Sequence, residues 1–121
     1  MEIKARAWNL NDKCWVDSDN FAICPDDGTI MIYEPSEDRY FPPGFKYVVM
    51  FFTGLKDKNG VKIFEGDILE YWCQNFRTRN VVKFENGSFW MDNNTIPYAI
   101  QYGAEVIGNI SENPDMVPDA S

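Results

Sequence analysis

Apolar and polar residues alternate with a period of two along most of the chain, and turn residues interrupt the alternation every several positions. This pattern is typical of short half-buried strands, and no long amphipathic helix pattern is present. The sequence therefore predicts a mainly β protein with little helix. The clearest predicted strands are 3–8, 29–33, 47–53, 61–64, 68–73, 81–85, 88–91, 98–102 and 106–110.

Turn residues connect several of these strands. Asn59-Gly60 and Asn86-Gly87 each predict a type I′ hairpin, because both central positions of that turn need a positive φ. The Pro-Asp-Asp-Gly run at 25–28 predicts a turn that pairs residues 21–24 with 29–33. Residues 74–80 are polar and predict a loop, whereas Asn113 and Pro114 predict the start of one helical turn.

A proline-rich stretch divides the chain. Residues 34–46 contain three prolines and a glycine among charges, which indicates a linker or an irregular flap. We therefore expect a β-rich subdomain over 1–46, a small closed or half-closed barrel over 47–113, and a short turn with a tail over 114–121. At 121 residues the three parts form one compact unit.

The charge restricts the possible partners. The formal net charge is −8, which opposes contact with nucleic-acid phosphates and with anionic membranes. The N-terminus lacks the apolar core of a signal peptide, and the longest apolar run, Tyr47–Phe52, is too short to span a bilayer. We therefore expect a cytoplasmic protein.

The residue types exclude several kinds of chemistry. The chain has no histidine, no CxxC pair and no phosphate-binding loop, so we expect no metal, no cofactor and no His-dependent catalysis. Three widely spaced cysteines indicate buried free thiols. The densest acidic group is Glu65, Asp67 and Glu70, for which a solvated hairpin end is expected. A small hydrolase using Glu65 and Asp67 remains the lowest-ranked alternative.

Aromatic residues supply the candidate interaction surface. Strands 68–73 and 88–91 carry large apolar groups on both faces, which either a second sheet or a partner protein must cover. The residues singled out are Trp72, Phe76, Arg77, Arg79 and Trp90. Arginine beside aromatics can also stack on bases, so a nucleic-acid-binding barrel stays open as the alternative to a protein contact.

Four stretches together resemble the YopX family of phage and prophage proteins. They are IKARAW at 3–8, FTGLKDKNG at 52–60, IFEGDI at 63–68 and EVIGNI at 105–110. The resemblance implies an SH3-like barrel beside a second β-rich part, and assembly into homo-oligomers. It implies no activity and brings no catalytic or ligand residues. The signature also fits a structural explanation, because Gly54, Gly60 and Gly66 supply turn geometry, and Asp57 and Asp67 bond turn amides.

These observations lead to one functional hypothesis. We expect a non-enzymatic protein that self-assembles in a bacterial cytoplasm and acts through protein contacts. A host protein is a further candidate partner, and the charge suggests a carboxylate surface that mimics nucleic acid.

Overall fold

The structure, a computed structural model, describes residues 5–16, 20–23, 29–42, 46–92 and 94–117. The chain divides into two compact units, Met1–Phe51 and Phe52–Ser121. The described residues are mainly β with little helix, which confirms the predicted class. The SH3-like closure and the boundary after residue 46 stay predictions.

The first unit contains two antiparallel sheets. β1 pairs with β2 and with the first part of β6, while β4 lies between β3 and β5. Ala7, Ile32, Phe41 and Tyr47 form its buried core. The strands are β1 Ala5–Asn9, β2 Cys14–Val16, β3 Phe21–Ile23, β4 Ile30–Glu34, β5 Arg39–Phe41 and β6 Tyr47–Lys56, whose end belongs to the second unit.

Two predictions for the first unit can be compared with this fold. The pairing of residues 21–24 with 29–33 is confirmed as the β3–β4 hairpin, although its turn at 24–28 lies outside the described residues. The irregular flap at 34–46 is wrong in part. Residues 39–41 form β5, because Phe41 is buried in the core and ties the segment to β4.

The second unit contains the three-stranded sheet β12-β8-β9, a separate β10–β11 hairpin, a helix, and β7, which pairs with the end of β6. β8 is its central strand, and Leu69 and Tyr71 on one face of β8 belong to the buried core. The elements are β7 Lys62–Phe64, β8 Asp67–Cys73, β9 Phe76–Val81, β10 Lys83–Glu85, β11 Ser88–Trp90, α1 Ile96–Gln101, β12 Glu105–Asn109 and a 3-10 helix Pro114–Met116.

The two Asn-Gly sequences form different turns. Asn86 and Gly87 have φ values of +54° and +82°, and Glu85 pairs with Ser88, so this predicted type I′ hairpin is confirmed. At the other site only Gly60 has a positive φ, +81°. The Asp57 N–H donates to the Val61 carbonyl, which encloses a three-residue loop. The hairpin is present, but its predicted type I′ turn is wrong.

Two further predictions for the second unit are wrong. Residues 98–102 were expected to be a strand, but α1 covers 96–101. Thr95 caps this helix by accepting the Tyr98 N–H at 3.2 Å, and Ile96 and Ala99 share the buried face. Residues 74–80 were expected to be a loop, but β9 begins at Phe76, directly after a tight turn.

Some predictions fall outside the described residues. They are the start of the first strand, Cys24, and the tail at 118–121. The helical turn predicted after Asn113 is confirmed as a 3-10 helix.

None of the helices in the described ranges combines the length and the apolar character of a bilayer span.

Candidate interaction surface

The β8–β9 hairpin carries four of the five residues that the sequence singled out. Gln74 and Asn75 have φ values of +51° and +70° and form a two-residue turn between Cys73 and Phe76. That turn fixes the register of β9 against β8. Trp90 lies apart from these four in sequence, on β11, where the Lys83 ammonium lies 4.7 Å from its ring centroid.

Two large aromatic side chains at the end of this hairpin are exposed. Trp72 is 59% exposed and Phe76 is 73% exposed. Trp72 lies opposite Arg77 in the register, so these two share a face, whereas Phe76 lies opposite Cys73 on the other face. Both faces of the hairpin end therefore present an aromatic group to solvent. Of the two alternatives for covering the apolar faces of β8, cover by a second sheet does not reach Trp72, and cover by a partner protein stays a prediction.

The two arginines of β9 are not equivalent. Arg79 lies opposite Glu70 and its Nε is 2.8 Å from a Glu70 carboxylate oxygen. Within the described residues no hydrogen bond or ion pair engages the Arg77 side chain, which is exposed. The surface therefore carries one uncompensated positive charge beside Trp72, on a chain whose net charge is −8.

The opposite face of the hairpin is held by buried polar contacts. The Tyr71 hydroxyl donates to Asn80 Oδ1 at 2.6 Å, and Asn94 Nδ2 donates to the Tyr71 hydroxyl at 2.7 Å. Burial raises the pKa of Tyr71, so the phenol stays neutral. Cys73 Sγ lies 3.3 Å from the Tyr98 hydroxyl, and that hydrogen bond raises the pKa of Tyr98. These contacts make the hairpin a rigid support for its exposed end.

The cysteines differ from the expectation of buried thiols. Cys73 is a half-buried free thiol, but the free thiol of Cys14 is exposed, so for Cys14 the expectation is wrong. Cys14 lies at the start of the short strand β2, where one face meets solvent. In the described part of the chain no group of three or more His, Cys, Asp or Glu side chains is arranged to hold a metal ion.

Asp67, one of the two acidic residues considered for catalysis, accepts hydrogen bonds from its own turn and from β12. Asp67 is 1% exposed, which contradicts a solvated hairpin end for this residue. Its carboxylate accepts the Phe64 N–H at 2.7 Å and Asn109 Nδ2 at 3.0 Å. Glu70 is engaged by Arg79. A buried carboxylate that accepts such donors is a structural group, and here it joins the start of β8 to β12.

Asp57 has the same structural role in the Asn59-Gly60 hairpin. Its Oδ1 accepts the N–H groups of Asn59 at 2.8 Å and Val61 at 2.9 Å, and its Oδ2 accepts the Val106 N–H at 2.9 Å. Burial alone would raise the pKa of Asp57, but the three donors outweigh it and hold the pKa below its ordinary value. The expectation that Asp57 and Asp67 bond turn amides is confirmed.

A cleft beside α1 is a feature that the sequence reasoning missed. Its volume is about 610 Å³, and its lining includes Leu55, Trp90, Met91, Ile96 and Tyr98. None of the lining residues is a carboxylic acid, lysine or arginine, so the cleft offers apolar contact and no ionic chemistry. The cap sequence Thr95-Ile96-Pro97 was the available signal, because it marks the helix that forms one wall.

The comparisons with known proteins found one matching family model and two similar crystal structures among those that match. The sequence matches the YopX protein family over residues 4–117. A crystal structure of protein EF1440 from Enterococcus faecalis is similar, with 32% identity, a TM-score of 0.63, and coverage of 95% of this chain and 97% of that one. The crystal structure of yopX from Bacillus subtilis is also similar, with 20% identity, a TM-score of 0.64, and coverage of 98% and 100%. No curated protein matches the chain. The chain belongs to the YopX family.

Proposed function

We propose that this protein is a non-enzymatic interaction protein that self-assembles and acts through the exposed end of the β8–β9 hairpin. The observation that carries the proposal is the exposure of Trp72 and Phe76, at 59% and 73%. A soluble protein rarely presents two large aromatics at one rigid position unless another surface covers them. Aromatic and arginine side chains are also the types enriched at the centres of protein interfaces.

The size of the exposed aromatic surface makes association favourable. Full burial of one of these side chains removes about 150–250 Å² of surface from water. Covering the exposed part of Trp72 and Phe76 would contribute about 5–7 kcal/mol before the costs of ordering and association are subtracted. That amount is useful for a contact but does not by itself give tight binding, so neighbouring residues must add to the interface.

The non-enzymatic part of the proposal rests on what the acidic residues do. Asp67 and Asp57 accept hydrogen bonds from their own turns and from β12, and Glu70 pairs with Arg79. None of these three carboxylates is left free to act as a general acid or base in a cleft. We assign no cofactor and no metal to the protein.

The setting is a bacterial cytoplasm. The two similar structures come from bacteria, and the family resemblance is to phage and prophage proteins. The partners we propose are further copies of this chain and a host protein. The net charge of −8 supports protein partners over nucleic acid and over an anionic membrane.

Gel filtration of a double variant tests the proposal. Trp72→Ser with Phe76→Ser should elute later than the unmodified protein at micromolar concentration, because the aromatic contact is removed while the buried face of β8 is unchanged. Tyr40→Ser is the matched control, since Tyr40 is an exposed aromatic of the first unit and 53% exposed. Equal elution of the double variant and the unmodified protein would contradict the proposed surface.

Nucleic-acid binding is the second candidate function. The observation in its favour is that exposed Arg77 lies directly opposite exposed Trp72, an arrangement that suits stacking on a base. Against this function, the surface has a single uncompensated arginine, and one positive charge attracts nucleic-acid phosphates only weakly. Labelled single-stranded DNA and RNA, titrated at low and at moderate salt, would show strongly salt-dependent binding if this second function is correct.

A further inference from the structure

The outer edge of β9 is open to pairing. Cys73 and Phe76 flank a two-residue turn and form a hydrogen-bonded pair, so the next pair, Trp72 with Arg77, is not hydrogen-bonded. Glu70 with Arg79, two positions further along, is likewise a pair that is not hydrogen-bonded. The N–H and C=O groups of Arg77 and Arg79 therefore point away from β8. Within the described residues no hydrogen bond reaches these outward groups.

The other edge of the same sheet is closed by side chains. The Val106 N–H of β12 donates to the Asp57 carboxylate at 2.9 Å, and the Asn109 N–H donates to Asn113 Oδ1 at 3.2 Å. Side chains thus satisfy two donors of β12 that would otherwise recruit another strand. The same sheet therefore has one edge that is closed by its own residues and one edge that is open.

We propose that the open edge of β9 binds an extended peptide strand of a partner protein whose residues alternate between acidic and apolar. The added strand would exchange main-chain hydrogen bonds with Arg77 and Arg79. One of its acidic side chains would lie opposite Arg77, whose charge is uncompensated, because Glu70 already pairs with Arg79. Its apolar side chains would lie on the other face, beside Phe76. The inference rests on the proposed function, because it names the partner chemistry for the same hairpin.

The arginines also decide against a second copy of β9 as the occupant. In an antiparallel pairing of two such strands with matched faces, an arginine lies opposite an arginine in each central register: Arg77 with Arg77, Arg77 with Arg79, or Arg79 with Arg79. Like charges directly opposite each other destabilise a strand pair. An acidic strand places a carboxylate opposite an arginine instead, and opposite charges stabilise a strand pair. Nucleic acid would leave the outward N–H and C=O groups without a strand partner, so it fits the edge less well.

A synthetic peptide pair tests the proposal. A fluorescein-labelled peptide of alternating glutamate and valine is titrated with the full chain, and the control peptide has lysine in place of each glutamate. Fluorescence anisotropy at moderate salt, which screens the net charge of −8, should show about threefold to tenfold tighter binding of the glutamate peptide, since one favourable cross-strand pair at Arg77 replaces a repulsive one. Arg77→Glu should reverse the preference. Lys62→Glu, a cation on β7, is the matched control and should leave it unchanged.

The backbone part of the proposal has its own test. Arg77→Pro removes the outward N–H without removing a β8–β9 hydrogen bond, and it should bind the glutamate peptide about tenfold or more weakly than Arg77→Ala, which lacks the guanidinium but keeps the N–H. Circular dichroism shows whether this variant is folded. If it is not, a glutamate peptide with methylated main-chain nitrogens tests the same hydrogen bonds, because the peptide then lacks the N–H groups that would donate to β9. Unchanged binding in that test, or equal binding of both peptides, would overturn the proposal.

Two measurements separate this inference from the proposed function. A protein that self-associates by gel filtration but binds neither peptide overturns the edge proposal alone. A monomer that binds the glutamate peptide overturns self-assembly alone. Tighter binding of an oligothymidine probe than of the glutamate peptide would overturn the edge proposal in favour of nucleic acid.

Discussion

Replacing Asp57 with alanine should destabilise the second unit strongly, although Asp57 lies in a surface hairpin. Three main-chain donors would lose their acceptor, and one of them, the Val106 N–H, belongs to β12, which is 49 residues away in sequence. A hydrogen bond to a charged group contributes about 1.5–3 kcal/mol when the donor cannot reach water. This figure applies to Val106, which is half-buried.

The other two donors lie in the exposed loop and can be hydrated. We assign about 0.5–1 kcal/mol to each of the Asn59 and Val61 hydrogen bonds. The total loss is therefore about 2.5–5 kcal/mol, which for a chain of this size lowers the melting temperature by about 10–20 °C. Urea unfolding followed by circular dichroism gives the free energy of unfolding, and thermal unfolding gives the melting temperature.

A matched variant shows whether the effect belongs to the hydrogen-bond network. Asp92→Ala removes an exposed carboxylate whose oxygen lies 3.0 Å from the Lys83 ammonium. A surface ion pair of this kind contributes about 0–1 kcal/mol, so this control should unfold nearly like the unmodified protein. If Asp57→Ala costs less than about 1 kcal/mol, Asp57 does not join the hairpin to β12 as described, and the reasoning is refuted.

Three further predictions concern a turn, a pH dependence and the absence of catalysis. Gly60→Val should cost about 1–3 kcal/mol, because valine cannot adopt the φ of +81° without strain, and an unchanged melting temperature would disprove this. The Tyr47 hydrogen bond lowers the pKa of Glu34 to about 2, so its stabilisation is complete above about pH 4.5 and is lost as the pH falls towards 2. Glu34→Gln should therefore flatten the melting temperature against pH in that range, and an identical curve would contradict the assignment. In glycosidase and nuclease screens we expect no turnover that depends on Glu65 or Asp67. Activity that a folded Glu65→Gln variant lacks would show that the protein is an enzyme.

The hairpins show how far local sequence determines this fold. Asn86-Gly87 forms the turn that its own residues favour, with both residues at positive φ and Glu85 paired with Ser88. Asn59-Gly60 has the same residues but forms a three-residue loop. The Asp57 carboxylate bonds two N–H groups of that loop and the distant Val106 N–H. A contact between such distant residues cannot be inferred from the turn sequence alone.

The two missed elements have different reasons. β9 looked like a loop because its sequence, Phe-Arg-Thr-Arg-Asn-Val, is polar and its preceding turn, Gln74-Asn75, contains no glycine. An exposed edge strand needs little apolar character, so composition was a poor guide. α1 looked like a strand because tyrosine and isoleucine favour strands. Its cap at Thr95 was the more informative signal, and one helical turn was enough to bury Ile96 and Ala99.

The candidate surface could be predicted only in part. Composition and alternation were sufficient to single out Trp72, Phe76 and the two arginines. They could not show that Glu70 neutralises Arg79 while Arg77 stays uncompensated, because that difference follows from the register of β8 against β9. They also could not place Trp90 at the cleft beside α1, since the cleft needs residues from three separate segments.

Self-assembly is the central claim, and its most direct test is the molar mass of the unmodified protein by light scattering coupled to gel filtration. The chain has a mass of 14.0 kDa and a net charge of −8, so subunits repel one another at long range. Salt at physiological strength screens charges beyond about 8 Å, which weakens the repulsion without weakening aromatic contacts. We expect a mass of at least two chains at micromolar concentration, increasing slightly from low to moderate salt. A clean monomer at both salt concentrations would contradict the account.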